Sequence, residues 1–155
     1  MLSTFVPVDL VGHGIYISGH RATQYTTELR AANIKHVLKL YSDIPYFPHD
    51  FTVLENAIED GESIPPNKLR EGVQFVMEQV EAKRSVLVMC GAGISRSSTF
   101  VLASLLQLDY TLEDAYRLLK SQHSSASPHP ALWNSLINHY RLPYRVEDVL
   151  GWSLD

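Results

Sequence analysis

Residues 85–108 read SVLVMCGAGISRSSTFVLASLLQL, and the rest of the chain arranges itself around them. An apolar, β-branched run, Val86-Leu87-Val88, stops at Cys90, the only cysteine. A turn of small residues follows, Gly91-Ala92-Gly93-Ile94-Ser95. Then come Arg96, a Ser-Ser-Thr cluster and an apolar, helix-like run to Leu108. Strand, glycine-rich loop and helix together form an anion cradle. Amide hydrogens of the turn and helix start converge on one spot, and the helix dipole favours negative charge there. Cysteines at helix N-termini or beside cations ionise readily, so the pattern predicts a thiolate at Cys90. Arginine matches phosphate by a planar fork of donors, which gives Arg96 a purpose at a helix start where its charge otherwise opposes the dipole. A thiolate facing a bound phosphate ester is a nucleophile, and its attack would give a phosphocysteine intermediate.

Upstream of this stretch, Ile15-Tyr16-Ile17 reads as a short strand after Gly12-His13-Gly14. Residues 22–32 read as a helix stopping near Asn33, and 34–40 as a strand. Residues 42–50, with two prolines and two aspartates, form a loop. A strand is expected over 52–58, ended by the acidic turn Glu59-Asp60-Gly61-Glu62-Ser63. Pro65-Pro66 opens a helix to about Lys83, with Leu69, Val73, Val76, Met77 and Val80 on one face. Downstream, Thr111 with Asp114 resembles a helix-capping box. Leu112, Ala115, Tyr116, Leu118 and Leu119 then form a buried face. Residues 124–130 are a linker, and a last helix runs from Ala131 to about Leu142 with Leu132, Trp133, Leu136, Ile137 and Tyr140 inward. Residues 143–155 carry no periodic signal; either Trp152 docks on the body or the segment moves. Strands alternating with helices predict an α/β fold, a central mostly parallel sheet of about five strands flanked by helices. The loop then lies at the carboxyl end of a central strand, where open α/β sheets bind ligands.

Composition narrows the function classes. A chain of 155 residues with 45% hydrophobic and 19% charged residues suits one soluble domain, 1–155, with a substantial core. A formal net charge of −4 offers no broad basic field, so neither nucleic acid nor an anionic membrane is an expected partner. One cysteine rules out an internal disulfide framework and suits a reducing compartment, so a cytoplasmic location is expected. The N-terminus lacks the pattern of a signal peptide, and no apolar run approaches the roughly 20 residues that span a membrane. The seven histidines form no ligand pair at helical spacing, so no metal and no cofactor is expected. A monomer is expected.

Cys90, Gly93, Arg96 and Ser97 stand as Cys-x-x-Gly-x-x-Arg-Ser, which resembles the signature of the cysteine-dependent protein tyrosine phosphatase superfamily. Ala92 through Ser97 is similar to its dual-specificity branch, and the likeness extends over roughly residues 15–140. It implies a protein-tyrosine-phosphatase-like fold and hydrolysis of phosphotyrosine and phosphoserine or phosphothreonine in a phosphoprotein. It implies Cys90 as nucleophile, and Gly91, Ala92, Gly93, Ile94, Ser95 and Arg96 as the phosphate (or sulfate) cradle. It implies that the Ser97 hydroxyl helps the sulfur leave in the second step. A general acid is also required, because the leaving oxygen must be protonated at neutral pH. Asp60 lies 30 positions before Cys90, similar to the family's spacing, with Asp43, Asp50 and Glu62 as alternatives. The chain departs from the family at Met89, where relatives carry a histidine that orders the loop. The loop interior contains no lysine, unlike resembling phosphoinositide phosphatases, which argues for a singly phosphorylated substrate. Two other readings stay open: a phosphatase of a lipid, nucleotide, RNA 5′ end or glycan, and a weakly active phosphate-binding module.

Overall fold

The computed structural model describes residues 5–152. Its centre is β5 (Val86–Met89), whose four side chains are all buried. A parallel strand covered on both faces reads as a continuous apolar run, as this one does. On one side β5 pairs with β2 (Ile15–Ser18), on the other with β3 (His36–Lys39), both parallel. Next to β3 lies β4 (Thr52–Glu55), also parallel, and β1 (Val8–Gly12) closes the other edge antiparallel to β2. The sheet order is β1-β2-β5-β3-β4.

Strand alternation sorts β5 between two cores. Val86, Val88 and Cys90 join the larger cluster, under α2 (Pro66–Glu81), α3 (Arg96–Gln107), α4 (Leu112–Gln122) and α5 (Pro130–Tyr140). Leu87 and Met89 join the smaller one with Val6, Val8, Ala22, Leu29 and Phe51. Cys90 and Met89 thus point to opposite faces. Met89 is fully buried packing, which explains why an apolar residue suits that position.

Helix α3 is the hub of the larger layer. Residues 97–105 are buried without interruption, as expected of a helix surrounded by protein. Ser98, Thr99 and Ser104 satisfy their hydroxyls on the carbonyls of Ile94, Ser95 and Phe100, one turn back. Gly72 of α2 admits the Phe100 ring: a Cβ there would lie 2.4 Å from Cε2. Thr111 caps α4 by accepting from the Asp114 amide, as its spacing predicts.

Several expectations need correction. The first strand among the described residues is β1, which the sequence pattern does not predict. Only Val8 and Val11 of that segment face inward, too few to mark a strand. It joins β2 by a tight hairpin in which His13 and Gly14 both have positive φ, 56° and 79°. Residues 22–32 are not one helix. A 3-10 turn, His20–Gln24, precedes α1 (Thr26–Ala31), and Asn33 follows with φ 59° as the stop. The strand expected over 52–58 ends at Glu55, because Asn56 turns its side chain onto the Lys68 carbonyl of α2. Of the two alternatives for the tail, docking is found: it forms α6 (Val146–Trp152), and Trp152 lies with ring centroids 5.2 Å from Tyr144 and 6.4 Å from Tyr116. Residues 153–155 of that tail, and 1–4 of the N-terminus, lie outside the described residues. No described helix is long and apolar enough to cross a membrane.

Candidate active site

The site is built where β5 ends. Cys90 is the residue after the strand and is 2% exposed. Its Sγ receives the Gly93 amide at 3.3 Å and the Ser97 amide at 3.4 Å, and Ser97 Oγ lies within hydrogen-bond distance at 3.2 Å. Two backbone amides donate to the sulfur, and the Cys90 thiol in turn donates to Ser97 Oγ. The loop reaches this shape because Gly93 takes φ 75°, and because its Cα passes against β2. A Cβ on Gly93 would lie 2.5 Å from the Gly19 nitrogen. Any side chain there would both strain the backbone and drive the loop off the sheet.

Arg96 opens α3 and folds back over the loop. A Cβ on Gly91 would lie 3.2 Å from Arg96 Nη2, so the guanidinium covers that glycine. Nη1 donates to the carbonyls of Leu40, at 3.3 Å, and Ile58, at 3.2 Å. Those carbonyls follow β3 and β4, so one nitrogen anchors the side chain across the sheet ends. Nε is buried and has no hydrogen-bond partner among the described residues.

The loop's outer wall is the connector between α4 and α5. His123 Nε2 lies 2.6 Å from Gly93 O, the Ser127 amide donates to Ile94 O at 2.9 Å, and the His129 amide donates to Ser95 Oγ at 2.8 Å. On the β2 side, the His20 amide and Nδ1 both meet Gly91 O, at 2.9 and 2.6 Å. The sequence places His129 in a loop where it could touch substrate, with a plain surface role favoured, but no local pattern assigns His20, His123 or Ser127 to the loop. The bonds join positions about 30 to 70 apart, and no local pattern reports them.

The four acid candidates separate in the structure. Asp50 is engaged in a two-pronged ion pair with Arg30 Nε and Nη2, at 2.7 and 3.0 Å. The hydrogen bond from Arg30 holds its carboxyl below the usual range, so it keeps its charge and is a poor proton donor. Asp43 takes φ 65° and offers its carbonyl to Lys39 Nζ. Asp60 and Glu62 flank Gly61 on an exposed turn that leans on His129: a Cβ on Gly61 would lie 3.6 Å from that ring. His129 in turn caps α5 through Nδ1 and holds Ser95 through its amide. Arg96 reaches Ile58, two residues before Asp60. These contacts belong to Ile58 and Gly61, the near neighbours of Asp60, which is itself exposed on the turn. Tyr41, after β3, completes the surroundings. Burial first, then the charge on Cys90 and on Glu55, push its phenol up to about 12, so it remains neutral and donates to Pro45 O at 2.9 Å.

A buried thiol at the end of a central parallel strand, ringed by amides and covered by an arginine, defines a protein-tyrosine-phosphatase-like catalytic fold. The chain belongs to the dual specificity phosphatase catalytic domain family, whose model matches residues 15–142. Dual specificity protein phosphatase 1 of Arabidopsis thaliana is 32% identical over 123 residues, covering 77% of this chain and 62% of that one. Human dual specificity protein phosphatase 9 is 30% identical over 140 residues, covering 87% of this chain and 36% of that one. The chain therefore spans less than two thirds of these relatives' length. Among solved structures, a mouse putative dual specificity phosphatase complexed with zinc tungstate superposes with a TM-score of 0.81 at 23% identity, covering 91% of each chain.

Proposed function

We propose that this chain hydrolyses phosphate monoesters on proteins, phosphotyrosine and phosphoserine or phosphothreonine alike, through a phosphocysteine intermediate. The observation that carries the reading is the sulfur of Cys90 held by the Gly93 and Ser97 amides and the Ser97 hydroxyl, with Arg96 above the loop. In the first step Sγ attacks phosphorus, the S–P bond forms, and the ester P–O bond breaks. Asp60 gives its proton to the departing oxygen. In the second step Asp60 takes a proton from water, the water oxygen attacks phosphorus, and the S–P bond breaks as the Ser97 hydroxyl donates to the leaving sulfur. The loop amides and Arg96 receive the equatorial oxygens, whose charge they stabilise most where it is greatest.

The surroundings favour a singly phosphorylated group on a polypeptide. Residues 91–95 contain no cation, and Ile94, the loop's apolar residue, is exposed. Such a loop suits the side chains flanking a phosphorylated residue better than it suits further phosphates. The test is turnover of p-nitrophenyl phosphate by the wild type and by Cys90→Ser, followed by phosphopeptides, a phosphoinositide and a nucleotide. Turnover lost in Cys90→Ser, with phosphopeptides as the best substrates, is expected. Unchanged turnover in Cys90→Ser ends the thiol mechanism, and preference for the lipid or nucleotide ends the protein assignment.

A further inference from the structure

The cradle depends on which way its peptide planes face. In a planar trans peptide the carbonyl of one residue and the N–H of the next point in opposite directions. A partner that holds a loop carbonyl outward therefore turns the following amide inward. Two carbonyls of this loop are held by imidazoles. Gly91 O meets His20, and Gly93 O meets His123 Nε2 at 2.6 Å. The amides that follow them belong to Ala92 and Ile94.

His123 is itself fixed. Its other nitrogen, Nδ1, lies 2.6 Å from Asp9 Oδ2, across 114 positions of sequence, and the side chain is 11% exposed. Both of these partners are acceptors, so the imidazole is the bridging group between them. The result is a hydrogen-bonded chain, Asp9 to His123 to Gly93, that runs from edge strand β1 to the glycine whose own amide bonds Cys90 Sγ. Met89, buried on the opposite face of β5, contributes no polar group to the loop.

We infer that His123, oriented by Asp9, is a positioning residue for oxyanion binding: it pins the Gly93 carbonyl outward and so aims the Ile94 amide at the phosphate. This deepens the function given above and rests on it in that the loop must bind an oxyanion. His123 touches neither substrate nor sulfur, and acts through one peptide plane.

The test compares His123→Gln with His123→Leu in the full chain. Glutamine keeps a donor that reaches Gly93 O, whereas leucine keeps bulk and removes the donor. Two readouts need no turnover: calorimetric binding of tungstate, and the amide resonance of Ile94 in the free protein. Loss of the hydrogen bond to Gly93 O is expected to weaken tungstate binding by about tenfold in His123→Leu. His123→Gln is expected to stay within about threefold of wild type, a difference of about 0.7 kcal/mol. The Ile94 amide should shift in the leucine variant and not in the glutamine one. In turnover, the leucine variant should raise KM for p-nitrophenyl phosphate more than it lowers kcat. Equal tungstate affinities for the two variants, whether both intact or both impaired, overturn the inference. If His123→Leu fails to fold, Asp9→Ala, at an exposed edge position, takes its place. Wild-type tungstate affinity in that variant overturns the inference equally. Cys90→Ser, run beside them on p-nitrophenyl phosphate, separates the two claims. Activity retained there removes the thiol mechanism but leaves the binding and resonance results to decide on His123.

Discussion

Ser97 serves the site through two atoms at once: its amide and its hydroxyl both lie within hydrogen-bond distance of Cys90 Sγ, at 3.4 and 3.2 Å. Removing the hydroxyl leaves the amide, so Ser97→Ala isolates the part proposed for the hydroxyl in the sulfur's departure. A hydrogen bond to a charged group contributes roughly 1.5–3 kcal/mol, or about 10- to 100-fold on the step that uses it. Stopped-flow kinetics on p-nitrophenyl phosphate should therefore show a burst of nitrophenol followed by a slowed steady state, with phosphoenzyme recoverable by acid quench. A linear time course at the wild-type rate would remove Ser97 from the second step. Asp60 is tested by leaving group. The general acid matters most where the departing oxygen is basic, so Asp60→Asn should lower kcat by roughly 10²–10⁴-fold on an alkyl or phenyl phosphate, and less on p-nitrophenyl phosphate. Full turnover of the poorer substrate would pass the role to Glu62 across Gly61. Asp50 offers no such fallback, since Arg30 holds it ionised.

Between elements, α2 meets α3 closely at Gly72. Gly72 has no room for a side chain: a Cβ would sit 2.4 Å from one Phe100 ring carbon and 2.9 Å from Asn56 Nδ2. Gly72→Ala must therefore push α2 away from the helix that carries Arg96 and Ser97. Overpacking of this kind costs about 1–3 kcal/mol, which outweighs the roughly 1 kcal/mol that alanine gains over glycine in a helix interior. Urea unfolding should show a lower midpoint for Gly72→Ala, and a higher midpoint would mean that the two helices are not in contact there. The same contact shows what the sequence could and could not tell. Cys90, Gly93, Arg96 and Ser97 lie within eight consecutive residues, so the nucleophile, the loop and the helix start were legible together. The anchors of Arg96, Leu40 O and Ile58 O, are 56 and 38 positions away, and they are backbone atoms that any residue type would supply. Strand β1 escaped because an edge strand needs only two inward residues, Val8 and Val11, and shows its other side to water. Helix α6 escaped because seven residues that fully bury only Val149 give no period to detect.

At the scale of the whole molecule, the residues that follow the last expected helix close the larger core instead of trailing from it. Val149 is fully buried in that core, and Trp152 lies against Tyr116 of α4 and Tyr144 ahead of α6. Helix α4 leads into the connector that bonds Gly93, Ile94 and Ser95, so α6 braces the back of the pair whose front edge walls the site. A brace at this distance should set stability without setting chemistry. Val149→Ala removes two buried carbons at about 0.8 kcal/mol each, with a further contribution from the cavity, for a total of about 2 kcal/mol. In a domain of this size that corresponds to a fall of roughly 4–8 °C in Tm. Calorimetry should show one cooperative transition displaced downward by that amount, while kcat at 25 °C, measured well below the transition, stays at the wild-type value. A second, earlier transition would mean that α6 unfolds apart from the body. An unmoved Tm would mean that it adds nothing to the body's stability, and a loss of kcat at full folding would mean that the brace reaches the loop after all.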